Sequence, residues 1–139
     1  MENQLATVDL STELSENAKT SYCSLKAGDR KTKAMVYNAS NNPDHKVGDY
    51  INKVINVKDV LVEVIEIEDE ESGEMECAPR VVLIDDKGKA YQAVSVGIFN
   101  AVKKAIQIFG EPTWEEPLPC LVKQVSVKSG SMLTLDIQL

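Results

Sequence analysis

The stretch Ser95-Val96-Gly97-Ile98-Phe99-Asn100-Ala101-Val102-Lys103-Lys104-Ala105-Ile106-Gln107-Ile108-Phe109 decides the fold. Ile98, Val102, Ala105, Ile106 and Phe109 recur at helical spacing on one face, with Lys103 and Lys104 off it. Ser95 suits the N-cap, because its hydroxyl accepts an otherwise unpaired first-turn amide. Gly110 suits the position after the helix, where positive φ is needed, and Pro112 prevents continuation. Phe99 and Phe109 are expected in the core.

Strand patterns lie on both sides of this helix. Upstream, the chain from Val54 to Ile67 is dense in β-branched residues and longer than an ordinary strand of about five or six residues. A long, bent strand serving both sides of a small barrel accounts for it. Pro79-Arg80-Val81-Val82-Leu83-Ile84 is a second strand, Asp85-Asp86-Lys87-Gly88 a hairpin turn, and Lys89-Ala90-Tyr91-Gln92-Ala93-Val94 its partner. Downstream, Leu118 to Val127 and Met132 to Leu139 flank the turn Lys128-Ser129-Gly130-Ser131. Three strands, a helix and two strands is the order of a five-stranded OB barrel, with its helix between strands 3 and 4. Such barrels hold single-stranded nucleic acid or oligosaccharide.

The expected fold is therefore mainly β: an OB-fold five-stranded barrel over 50–139, with an N-terminal β extension over 20–40 and a flexible arm over 1–17. In the extension, Ser21 to Leu25 and Lys33-Ala34-Met35-Val36-Tyr37-Asn38-Ala39 read as strands, the second closed by Asn41-Asn42-Pro43-Asp44. At 139 residues, with 43% hydrophobic and 27% charged residues, the chain is one soluble domain of ordinary size. It has no apolar run of the ~20 residues a membrane helix needs, and no signal-like start, so no membrane association is expected and the cytosol is the expected compartment.

Composition narrows the chemistry. Cys23, Cys77 and Cys120 are scattered and His45 is the single histidine, so neither a zinc site nor a Cys-His or Ser-His nucleophile system is expected. No phosphate-binding glycine loop is present. His45 reads as an exposed turn residue, and the acidic stretch Glu68 to Glu76 as a solvated loop. No enzyme activity and no cofactor are expected. The net charge of −7 argues against broad duplex binding, yet leaves room for a local basic groove.

Single strands are held by stacking bases on aromatic rings and guiding phosphates with Lys and Arg. Tyr91 sits centrally in its strand, with Ala90 and Gln92 directed to the other face. Tyr37 and Tyr50 lie beside polar and basic residues. For all three, stacking and ordinary packing both remain open. Arg80, Lys33, Lys53, Lys87 and Lys89 are the cations nearest these strands. Arg80 is the foremost of them, since a guanidinium both stacks on a base and pairs with phosphate. Trp114, among prolines and glutamates, is expected to cap the barrel base.

The segments Lys33–Ala39 with Asn42-Pro43, Arg80–Asp85 with Gly88-Lys89-Ala90-Tyr91, and Ser95 through Trp114 together resemble single-stranded-DNA-binding proteins of tailed phages of Gram-positive bacteria. The aromatic-led strand Tyr91–Ser95 entering a helix, and the closing strand pair, are similar more distantly to the SSB of small protein-primed Bacillus phages. The resemblance covers about Lys33 to the C-terminus. It implies a protein that coats single-stranded DNA during phage replication or recombination in the infected host's cytoplasm, protecting it and melting hairpins. It carries Tyr91 over as a base-stacking position, and implies phage or host replication proteins as partners and a possible homo-oligomer. Many replication SSBs recruit partners through an acidic C-terminal tail. None is seen here, and the acidic Glu68–Glu76 stretch is the candidate substitute. The competing reading is an acidic protein-interaction or DNA-mimic module acting on a host factor.

Overall fold

The computed structural model describes residues 21–25, 28–128 and 130–139; the expected arm over 1–17 lies outside them. In chain order these residues form β1 (Ser21–Cys23), α1 (Arg30–Asn41), β2 (His45–Lys46), a 3-10 turn (Val47–Tyr50), β3 (Val54–Glu68), β4 (Met75–Asp85), β5 (Ala90–Val94), α2 (Val96–Phe109), β6 (Leu118–Val127) and β7 (Gly130–Ile137). The hydrogen-bonded order is β2-β5-β4-β3-β6-β7, with β1 added to β3. Three strands, α2 and two strands follow one another as expected. However, β5 and β7 are not neighbours in the sheet, and β1 and β2 join it. The result is a seven-stranded curled half-barrel with two helices, not a closed five-stranded barrel.

The 15 residues of β3 form the spine. Val54 to Val57 pair with β6, and the strand pairs with β4 from Val57 to Glu68. A register shift between Val57 and Asp59 makes the bend, and β1 pairs with Leu61 to Glu63. At the bend, buried Asp59 accepts from Ser24 Oγ at 2.8 Å and from Thr113 Oγ1, and Ser24 Oγ accepts from the Val60 amide at 2.9 Å. The bulge is therefore satisfied by side chains where the ladder cannot satisfy it.

Val60-Leu61-Val62 of β3 and Val81-Val82-Leu83-Ile84 of β4 are unbroken apolar runs because both faces of the sheet are covered there. Val60, Val62, Val81 and Leu83 face a core closed by Ile98, Phe99 and Val102 of α2. Leu61, Val82, Ile84 and Ala90 face the opposite way, under Val36 and Ala39 of α1. Ser95 Oγ caps α2 by accepting from the Ile98 amide at 3.1 Å, and Gly110 follows with φ 85°. Phe99 is buried as expected, but Phe109 is 43% exposed, because α2 outruns the core by a turn. Gly97 marks the crossing of α2 over β7: a Cβ there would overlap the Leu133 carbonyl oxygen and lie 2.6 Å from Met132 Cγ.

The strand expected over Lys33–Ala39 is a helix, so the N-terminal extension is β only at Ser21–Cys23. Asp29 caps α1, its carboxylate accepting from the Thr32 amide at 3.3 Å. Thr32, Val36, Ala39 and Ser40, at i, i+4, i+7 and i+8, are the residues it buries or half-buries. Met35 and Tyr37, which lend the segment its strand-like look, are 39% and 64% exposed.

The acidic stretch is also more ordered than a loop. Its ends belong to β3 and β4, making a hairpin arm whose turn is held by Asp69 accepting from the Glu71 amide at 2.8 Å. The seven carboxylates from Glu66 to Glu76 equal the chain's whole net charge of −7, leaving the remainder balanced. The arm tip and the β4–β5 turn lie at opposite ends of the 11-residue β4, roughly 35 Å apart at ~3.4 Å per residue. That is several Debye lengths at physiological salt. No helix among the described residues is long and apolar enough to cross a membrane.

Candidate nucleic-acid interface

The edge of the sheet made by β2 and β5 gathers three rings. β2 pairs parallel to β5 and sets His45 opposite Tyr91. The following 3-10 turn buries Val47 completely and returns Tyr50 to the same spot. Ring centroids are 5.2 Å apart for His45–Tyr50, 5.0 Å for His45–Tyr91 and 5.0 Å for Tyr50–Tyr91, the last pair edge-on at 90°. These spacings suit attractive aromatic packing. Lys53 Nζ stands 5.6 Å from the Tyr50 ring centre, within cation–π reach. The Tyr50–Lys53 segment is fixed to β6 by Asn52 N–H donating to Val122 O (2.7 Å) and Val122 N–H donating to Lys53 O (3.0 Å).

Within the cluster the rings are not equivalent. Tyr91 is only 7% exposed and forms the floor, while Tyr50 and His45 are half-buried and present the open side. The Tyr91 hydroxyl donates to Asp85 Oδ2 at 2.8 Å. The other oxygen of Asp85 accepts from the Lys87 and Lys89 amides, both at 2.9 Å, so one carboxylate holds the ring and the hairpin turn together. Burial, reinforced by Asp85, pushes the Tyr91 phenol well above its ordinary pKa and keeps it a neutral donor. The residue expected to stack on bases thus supports the rings above it.

The other expected residues divide. Lys53 joins the cluster, and Lys89 stands at the turn beside β5, one residue from Ala90. Tyr37 and Lys33 are exposed on α1, and Tyr37 makes no ring contact among the described residues. Arg80 is committed elsewhere. Its Nη2 donates to Ser40 O at 2.6 Å, its Nε to Gln92 Oε1 at 3.1 Å, and its Nη1 lies 3.4 Å from Glu63 Oε1, while Ser40 Oγ also donates to Glu63. The guanidinium brackets the end of α1 to the sheet, with 13% of its side chain exposed. Trp114 is buried, and its Nε1 donates to Gly110 O at 2.9 Å, so it closes the helix end rather than facing solvent.

His45, read from sequence as an exposed turn residue, is instead a wall of the ring cluster. A two-residue strand paired to a segment 46 positions away leaves no local signal. Among the described residues no group of His, Cys, Asp and Glu is arranged to hold a metal ion, and no buried side-chain polar atom lacks a partner.

No curated protein and no solved structure matches the chain. A family model of the Phi29 type, described as phage single-stranded DNA-binding protein, matches residues 15–138. That span covers nearly the whole chain, and the chain therefore belongs to the family of phage single-stranded DNA-binding proteins.

Proposed function

We propose that this protein binds single-stranded DNA without sequence preference, and that its principal contact is the open side of the His45–Tyr50–Tyr91 cluster with Lys53. The observation that carries the reading is a rigid three-ring platform with an ammonium at its rim, on a sheet edge, in a chain of this family. A base stacks on the Tyr50 and His45 rings because every base has a π-face, and Lys53 and Lys46 meet the flanking phosphates. Tyr37 and Lys33 on α1 are secondary contacts. The half-barrel is a variant of the OB arrangement left unpaired between β5 and β7, where the 3-10 turn brings Gly48 up to Leu133.

Binding only the unpaired strand pulls hairpins open by mass action, since a ligand stabilises the state it binds. Coating of exposed strands during phage replication or recombination follows from the same preference, with replication proteins as partners. The acidic arm stands far enough from the platform that its charge does not oppose phosphate binding there. A labelled dT oligomer titrated by fluorescence anisotropy against wild type and Tyr50→Ala tests the platform. Losing one stacked base is expected to cost ~1–3 kcal/mol. Equal affinity for the two proteins would remove the platform from the account.

A further inference from the structure

On the other face of the same sheet edge lies a groove of about 260 Å³ between α1 and the β4–β5 turn, lined by Met35, Asn38, Asn42, Asp44, Lys87 and Lys89 among others. That is several times the ~30 Å³ of a water and below the size of sites that take drug-sized ligands, in the range of one flat heterocycle. Strand alternation links it to the ring cluster. Asp44 and Ala90 line the groove, and the next residues, His45 and Tyr91, point through the sheet edge into the cluster.

The lining has the chemistry of a nucleotide. The side-chain amides of Asn38 and Asn42 make no hydrogen bond with the described residues, so they offer donors and acceptors to a base edge. Met35 supplies a polarisable apolar wall. Lys87 and Lys89 stand on one bank, and Lys31, one turn before Met35 on α1, on the other. None of the three forms an ion pair among the described residues, where Arg80–Glu63 is the one salt bridge. Cations left unpaired on both banks of a groove suit a polyanion that crosses it.

We propose that this groove is a second nucleotide subsite, taking one unpaired base against Met35, Asn38 and Asn42 while Lys31, Lys87 and Lys89 hold the adjoining phosphates. A bound strand then turns over the β2–β5 edge, with one base on the ring platform and another in the groove. The proposal rests on the single-stranded DNA reading. It goes beyond that reading in placing a base inside the groove between α1 and the β4–β5 turn, on the side of α1 away from Tyr37 and Lys33.

The test titrates dT oligomers at several salt concentrations with wild type, Asn38→Leu and the double variant Lys87→Ala/Lys89→Ala, each checked for wild-type folding by circular dichroism. The expected results are roughly tenfold weaker binding by Asn38→Leu, and a salt slope shallower by about 1.4 for the double variant, at ~0.7 per single-strand phosphate contact. Photo-crosslinking of wild type to a 5-iodouracil oligomer, which needs no variant to fold, is expected to label the groove residues Met35, Asn38 or Asn42 and not Tyr37 alone. Variants that bind with wild-type affinity and slope, with no crosslink at Met35, Asn38 or Asn42, overturn the subsite and leave the single-stranded DNA reading standing. Absence of wild-type binding at low salt overturns both.

Discussion

Replacing Arg80 by alanine separates a structural bracket from a DNA contact. The side chain donates to Ser40 O at 2.6 Å and to Gln92 Oε1 at 3.1 Å, and pairs with Glu63 at 3.4 Å. Hydrogen bonds to charged groups contribute about 1.5–3 kcal/mol each, but the three share one guanidinium and do not add in full. The 3.4 Å contact is long, and Glu63 is partly exposed, so it adds little. The expected loss is therefore about 2–4 kcal/mol. For a domain of this size that corresponds to roughly 10 °C in Tm. The loss falls on α1, whose detachment would bare Val82, Ile84 and Ala90. Arg80→Lys should recover only part of it, because an ammonium cannot bridge three acceptors in the fork geometry. Urea and thermal unfolding measure the stability, and anisotropy with a dT oligomer measures binding well below the variant's Tm. A variant of near wild-type stability that binds DNA tenfold more weakly would refute the bracket and restore Arg80 as a ligand.

Gly97→Ala should destabilise by about 1–3 kcal/mol in urea unfolding, because the new Cβ meets the rigid Leu133 backbone; wild-type stability would mean that α2 and β7 do not approach so closely. Tyr91→Phe keeps the ring but strips Asp85 of its 2.8 Å donor, so unfolding should show a loss of about 1 kcal/mol with little change in DNA affinity. A large affinity loss would make the phenol a direct contact. Burial holds the Cys120 thiol at about 12 instead of the ordinary 9.0, and burial also raises the Tyr22 and Tyr91 phenols. The folded chain then keeps protons that the unfolded chain releases, so stability is full below pH 9 and falls as pH rises toward 12, each group adding up to about 1.4 kcal/mol per pH unit. Cys120→Val should flatten that fall in urea titrations at pH 8 to 11, and an identical slope would contradict the assignment.

Much of the barrel could be read locally. The Ser95 cap, Gly110 and one apolar face suffice to define α2, and the β-branched residues of Val54–Ile67 define β3, because those signals lie within a few residues of one another. Around Lys33–Ala39 the local signals are weaker: Asp29 caps the helix, but Asp29 beside Gly28 also reads as a turn. Only Val36 and Ala39 of the segment reach the core, and Met35-Val36-Tyr37 imitates a strand. What makes it a helix is distant: the apolar outer faces of Val82, Ile84 and Ala90 need a cover, and Arg80 binds its last turn. The same distance effect decides the site. Alternation correctly set Tyr91 against Ala90 and Gln92, but with both faces of the sheet covered, no pattern shows which side is enclosed. Tyr50 and Lys53 were legible as candidates, whereas His45 joins them through a pairing made by the fold alone.

The central claim is that an acidic protein binds unpaired DNA through a local platform remote from its acidic arm. It is tested most directly by titrating a labelled dT oligomer with the wild-type protein at low and physiological salt, against unlabelled duplex as competitor. The account predicts binding that weakens with a log–log slope of about −0.7 per phosphate contact and resists displacement by duplex. No binding at low salt, or equal displacement by duplex, would contradict it.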